Sequence, residues 1–249
     1  MAAHLDYRQA WVTAAYRSDM ASAIACLPPP AHLRRVYHLT SAEHAVSNLA
    51  LGRLKVARFS DLNDPFELIG LNFREREVRK AVRDFKDAYD AHTGLLAFSE
   101  DWGDPVLWSH YAAKHRGVCL GFNVPKESVQ KVQYEDERIR ASLGDIGDPL
   151  TIGQELQQQL LCTKYRHWQY EQEYRRFIPL ETASQEGRLH FVSFSAELEL
   201  AEVILGPQCV VSLDSIRELV KSRYPTATVF KARLAFKFFH VVPQESTVP

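Results

Sequence analysis

The run Trp168-Gln169-Tyr170-Glu171-Gln172-Glu173-Tyr174-Arg175-Arg176 admits two readings. In an extended chain the side chains alternate between faces. Trp168, Tyr170 and Tyr174 then fall on one side, and Glu171, Glu173 and Arg175 on the other. A row of acids beside a guanidinium costs too much to bury without a task or a partner. In a helix, Tyr170, Tyr174 and Phe177 recur at i, i+4 and i+7, and the charges form a solvated face. Spacing alone leaves the two even. Two upstream stretches tilt the balance toward a site: Asn63-Asp64-Pro65-Phe66-Glu67 and Tyr37-His38-Leu39-Thr40.

The rest of the chain sets bounds on this site. Its 249 residues can bury a substantial core. Apolar content of 46% and charged content of 24% are those of a soluble globular protein. A formal net charge of -1 argues against a strongly basic nucleic-acid binder, while leaving room for a local basic groove. No run is long enough to span a bilayer, so no membrane partner is expected. The N-terminus lacks the basic flank and apolar run of a secretion signal. Cys26, Cys119, Cys162 and Cys209 are far apart among apolar neighbours, which fits buried thiols in a reducing cytoplasm. The ten histidines form no His-Glu-x-x-His unit, and His110 and His115 fall on different helix faces, so no metal is expected.

Residues 6–26 read as a helix with Trp11, Ala14, Ala15 and Ile24 at helical spacing, and Pro28-Pro29-Pro30 stiffens the connection into an extended rod. Residues 1–30 are therefore an N-terminal attachment that packs on the main domain or on a protein partner; residues 31–249 form one domain. Arg35 to Thr40 is strand-like. Thr40 with Glu43 makes a capping box for a helix from Ala42 to Leu51, with Ala42, Ala45, Val46 and Leu49 inward and Gly52 as its stop. A strand from Arg53 to Phe59 comes next. His38 thus stands at a strand end beside free helix amides, a place that can hold a polar ligand, although a lone histidine is more often structural.

Ser60 to Glu67 has the composition of a turn, but Phe66 and Glu67 add an aromatic and an acid that a plain turn does not need. Residues 73–90 predict a charged helix with Val78, Val82, Phe85 and Tyr89 as its apolar stripe. Gly94 to Ser99 predicts a buried strand with Ser99 at its end. Asp104 and Pro105 open a helix that Gly117 closes. On it Trp108, Tyr111 and Ala112 form one stripe, and His110 lies partly off it. Further strands are expected at Val118–Phe122, His190–Phe194, Ala201–Leu205 and Val229–Val242. Helices are expected at 150–163 and at Leu213–Tyr224, and a flexible loop or lid at 135–148. Elements of both kinds mix without regular alternation, and no Gly-x-Gly-x-x-Gly or phosphate loop occurs. The expected class is α+β: mixed, largely antiparallel central sheets flanked by helices.

Several runs together resemble a mostly bacterial domain-of-unknown-function family, DUF2971. They are Tyr37–Thr40, Phe59–Glu67, Leu96–Glu100, Leu107–Ala112 with Gly117–Phe122, and Lys164 with Trp168 and Tyr170–Arg175. They span residue 37 to about residue 206. More distantly, an early His-x-Thr strand, an aromatic turn and a late Glu-x-Glu are similar to the ADP-ribosyltransferase superfamily. That resemblance implies an enzyme consuming NAD, a transferase or glycohydrolase with a protein or nucleic-acid acceptor and a toxin or phage-defence role. It implies that His38 and Thr40 hold the adenosine-side ribose, that Tyr37 or Phe66 stacks on nicotinamide, and that Glu173 is the catalytic carboxylate. Glu171 would orient or deprotonate the acceptor. Asn63, Asp64, Ser99, His110, Tyr111 and Arg175 complete the expected cofactor contacts.

Two other readings compete. In one, the chain is a non-catalytic binding module whose Glu171 and Glu173 pair with arginines, with no pocket between them and His38. In the other, Asp64, Glu67, Glu171 and Glu173 serve a divalent-metal nuclease.

Overall fold

The computed structural model describes residues 28–64, 66, 76–138 and 154–244. The expected N-terminal helix, Cys26, Glu67 and most of the expected lid lie outside the described residues.

An eight-stranded sheet forms the frame. Its first strand, β1 (Leu33–Thr40), leads into α1 (Ala42–Leu51) and β2 (Arg53–Val56). A helix, α2 (Arg76–His92), precedes β3 (Thr93–Ser99), and α3 (Pro105–Tyr111) precedes β4 (Val118–Pro125). The short β5 (Gln130–Lys131) and β6 (Gln133–Glu135) come next, then α4 (Gln154–Leu161), β7 (Thr163–Tyr165) and β8 (Glu173–Pro179). The chain closes with β9 (Ser184–Glu186), β10 (Leu189–Ser193), β11 (Glu199–Leu205), α5 (Leu213–Arg223), β12 (Thr228–Leu234) and β13 (Val241–Pro243). The large sheet runs β13-β12-β11-β4-β1-β3-β8-β5, and β2-β10-β9 form a smaller one. All pairs of the large sheet are antiparallel except β11 with β12. The class is α+β, as the mixed pattern implies.

Both faces of the middle strands are buried. On β4, Val118, Leu120, Phe122 and Val124 join the core formed with Ala45 and Leu49 of α1, and with Ile216 and Val220 of α5. Cys119 on the opposite face packs with Trp102, Trp108 and Ala112. Strands covered on both sides read as continuous apolar runs, as Val118–Phe122 does. Cys119, Cys162 and Cys209 are buried free thiols.

Local expectations hold in outline and shift in detail. Gly52 adopts the left-handed conformation at φ 67 and ends α1. The N-cap is Ser41, however, which accepts from the His44 amide at 3.3 Å, because Thr40 is still paired with Val118 in the ladder. Val46 is exposed rather than inward. β2 stops at Val56, and Phe59–Asp61 turns as a 3₁₀ helix. Asp104 caps α3 as expected, but that helix ends at Tyr111, well before Gly117. The expected strand Val229–Val242 is two strands, β12 and β13, that pair antiparallel.

The Trp168–Arg176 run is neither wholly strand nor wholly helix. Arg166–Glu171 is a 3₁₀ helix, Gln172 is left-handed at φ 44, and Glu173 begins β8. The two-face alternation therefore holds only from Glu173 onward, where Glu173 and Arg175 share a face and Tyr174 lies opposite.

A candidate active site at the seam of the sheet

β1 and β3 meet at one register pair, Tyr37 with Ser99. Each is fully zipped to its other neighbour, β1 to β4 and β3 to β8. The sheet thus opens along this seam, and a cavity of about 150 Å³ occupies the opening. Tyr37 and His38 reach it from β1, Ser99 from β3 and Tyr111 from α3. Asn63 closes one side, and Lys164, Glu171 and Glu173 form the floor. Residues from about position 37 and about position 173 therefore share one hollow.

The floor is a chain of hydrogen bonds. Asn63 Nδ2 donates to the Tyr111 hydroxyl at 3.0 Å, and that hydroxyl donates in a short bond to Glu171 Oε1. Lys164 Nζ donates to Glu171 Oε2 at 2.7 Å and to Glu173 Oε2 at 2.8 Å. Arg175 grips Glu173 from below, Nε to Oε1 at 2.8 Å and Nη2 to Oε2 at 3.1 Å. Its Nη1 is tied to the Leu161 carbonyl at 2.6 Å. The left-handed Gln172 makes this possible: the backbone reverses between the two acids, so both meet one ammonium. The Glu173 amide is fixed in turn by donating to the Tyr134 hydroxyl at 2.8 Å.

Charge is distributed unevenly over the floor. Burial raises the Glu171 carboxyl, and Lys164 and Tyr111 only partly oppose it, so its pKa sits above the usual range. Burial also works against the Glu173 charge, but Arg175 and Lys164 together outweigh it and hold its pKa below the usual range. Two acids with opposite shifts in one site are the arrangement in which one carries charge and the other handles a proton. His38 is pushed down by burial; its Nδ1 bond to the Ala97 carbonyl, 3.2 Å away, opposes this only in part. A carbonyl can only accept, so Nδ1 carries the proton and Nε2 is left as the acceptor. The Tyr111 hydroxyl is pushed far up by burial and by Glu171, which keeps it a donor.

Residues 107–176 match the family described as "Protein of unknown function (DUF2971)". The match covers most of α3, all of β4 and the Glu171–Glu173 floor, and is narrower than the span of the resembling motifs, since Tyr37–Thr40 and Asn63–Phe66 fall outside it. No curated protein and no solved structure matches the chain.

The expected site residues divide. Tyr37, His38, Asn63, Ser99, Tyr111, Glu171 and Glu173 line the seam cavity. Asp64 and Phe66 line a neighbouring one. Thr40 ends β1 outside both, and His110 is exposed, its ring 6.1 Å from that of Tyr170. Arg175 has no accessible surface, so it acts on Glu173 and not on a ligand.

The pairing expected of the competing module holds for Glu173, which pairs with Arg175, but not for Glu171, whose partner is Lys164, and a cavity does separate the acids from His38. Among the described residues the nuclease set does not converge either. Asp64 faces the other cavity, Glu67 lies outside the described residues, and the Lys164 ammonium stands where a cation shared by Glu171 and Glu173 would sit. Lys164 is the residue of the floor to which the sequence alone assigns no role. Its signal was a lone cation in Cys162-Thr163-Lys164-Tyr165, before an aromatic run.

Proposed function

We propose that the seam cavity cleaves an N-glycosidic bond, with NAD as substrate and nicotinamide as leaving group. The observation that carries this reading is the pairing across one small hollow of Glu173, held ionised, with His38, held neutral. Loss of nicotinamide leaves an oxocarbenium-like ribose, and a fixed carboxylate stabilises that charge without reorganising. Glu173 accepts three side-chain hydrogen bonds. A carboxylate has about four acceptor sites, so one is left for a ribose hydroxyl. Glu171, with its raised pKa, is suited to exchange a proton with water or an acceptor hydroxyl. His38 Nε2 accepts from a sugar hydroxyl, and Tyr37 offers an aromatic wall. A hollow of about 150 Å³ is below the range of about 300–1,000 Å³ of whole-ligand pockets. It takes the nicotinamide end, and the rest of the dinucleotide lies across the mouth.

Incubation with NAD tests this directly. Wild type releases nicotinamide, and Glu173→Gln lowers the rate by about 10²-fold or more while keeping its fold, a typical loss for removing a charge-stabilising group. No release by wild type, with no NAD binding by calorimetry, refutes it.

One observation favours a second reading, a binding module without chemistry. Lys164 bridges both acids in a buried network of the kind that can serve structure alone. Under that reading Glu173→Gln loses stability and leaves ligand affinity unchanged.

A further inference from the structure

The Asn63-Asp64 turn divides between two hollows. Asn63 faces the seam cavity, while Asp64 and Phe66 line a second of about 280 Å³, and Lys164 belongs to both walls. Asp64 is 3% exposed. Its Oδ1 accepts from the Phe66 amide at 2.8 Å, and no donor among the described residues reaches Oδ2. A carboxylate this buried, on a cavity wall, keeps an oxygen that can accept from a donor placed in the cavity.

The second observation concerns Phe66. Its ring is half exposed, and the Arg138 guanidinium lies over it, 4.8 Å from the centroid. An aromatic face and an acid are the two components of a site for an organic cation. The remaining wall strengthens the bias. Glu135 and Asp136 both line this cavity, with Asp136 held by Arg166 at 2.7 Å. A guanidinium is favoured over an ammonium because it is planar, stacks on rings and is weakly hydrated.

We infer that this second cavity binds a guanidinium-bearing ligand, with Asp64 as its anion and Phe66 as its stacking face. Arg138 holds the stacking position when the site is empty. Its use as the seat of the acceptor rests on the glycosyl-transfer reading; its capacity to bind a cation does not.

Titration of the full chain with agmatine, without NAD and at low salt, tests the site by calorimetry and by chemical-shift changes. Wild type binds, Asp64→Asn weakens binding about tenfold, and Arg138→Ala tightens it by removing the internal competitor. Asn at 64 retains an acceptor for the Phe66 amide, so the turn is kept. Phe66→Leu, a change at a half-exposed position, is the second variant and also weakens binding. No agmatine binding by wild type, or equal binding by wild type and both weakened variants, overturns the site. Putrescine binding as well as agmatine overturns the guanidinium assignment. Agmatine binding with no nicotinamide release from NAD leaves this site standing and removes only its role as acceptor seat. Nicotinamide release without agmatine binding does the reverse.

Discussion

His38 Nδ1 donates to the carbonyl of Ala97 at 3.2 Å, across a seam where β1 and β3 share a single register pair. A side chain thus takes the place that a ladder amide would otherwise fill. The imidazole ring also lies edge-on to Phe98, with centroids 6.2 Å apart. The seam stays open enough for a cavity, yet the facing carbonyl is satisfied.

Burial of this ring, which the Ala97 bond only partly offsets, makes acid stability a readout of His38. Burial holds its folded-state pKa below the ordinary 6.5. As pH falls through 6.5, the unfolded chain takes up a proton that the folded chain refuses, and stability drops. The contribution is therefore fully present above that pH and is lost progressively below it. Urea unfolding between neutral pH and pH 5 should show this fall in wild type and a shallower one in His38→Gln. His115, also lowered by burial, needs a His115→Gln control. Equal slopes in wild type and His38→Gln would contradict the assignment.

Lys164→Met should be the most damaging single change at the floor. It leaves Glu171 and Glu173 buried together without the ammonium that both accept from. Breaking a buried pair by removing one partner costs about 3–5 kcal/mol. Adding Glu171→Gln removes one of the stranded charges and should recover part of the loss. A double mutant as unstable as the single one would mean that Glu171 is not coupled to Lys164.

Much of the frame was legible because its signals are local. Gly52 stops α1 through its own conformational freedom, and Asp104 with Pro105 starts α3. The floor was legible only in part. Glu173 and Arg175 share a face because strand periodicity places them there. The meeting of Glu171 with Glu173 depends on a 3₁₀ turn and a left-handed Gln172, a conformation that no residue in the run demands. Lys164 was hidden because its partners lie seven and nine positions later, one on each side of Gln172. The Asn63–Phe66 turn reads as one unit in sequence, whereas its side chains separate into two cavities, Asn63 into one and Asp64 and Phe66 into the other.

Tyr111→Phe removes both a charged and a neutral bond, and Asn63→Ala only the neutral one, so the difference between the two variants reports the charged bond. The hydroxyl donates to Glu171 and accepts from Asn63 at 3.0 Å. A hydrogen bond to a charged group is worth about 1.5–3 kcal/mol, against about 0.5–1.5 for a neutral one. Tyr111→Phe should therefore cost more than Asn63→Ala in thermal or urea unfolding. Removing the hydroxyl also takes away a bond that favours the Glu171 anion, so the Glu171 carboxyl should titrate higher still in the variant. Carboxyl-carbon chemical shifts tracked against pH would show an unchanged midpoint if the bond were not made.

Gly121→Ala should reach the cavity from behind. A Cβ at position 121 would stand 2.9 Å from Glu202 Cβ and 3.1 Å from Tyr37 Cε1. Glu202 cannot retreat freely, because it is buried and paired with Arg35, whose Nε also donates to Asn123 Oδ1 at 2.8 Å. The Tyr37 ring, on the wall of the seam cavity, is the other side chain that the new methyl presses on. Overpacking of this kind costs roughly 1–3 kcal/mol, which a core of this size survives. The variant should fold, show altered Tyr37 ring resonances, and bind any seam ligand more weakly than its stability loss explains. Gly94→Ala is the contrasting change: its Cβ would meet the Ala57 carbonyl at 2.7 Å and run into Val56 Cγ1, neither of which lines the cavity. It should lower stability while leaving the Tyr37 resonances in place, and equal Tyr37 shifts in both variants would rule out a local push from position 121.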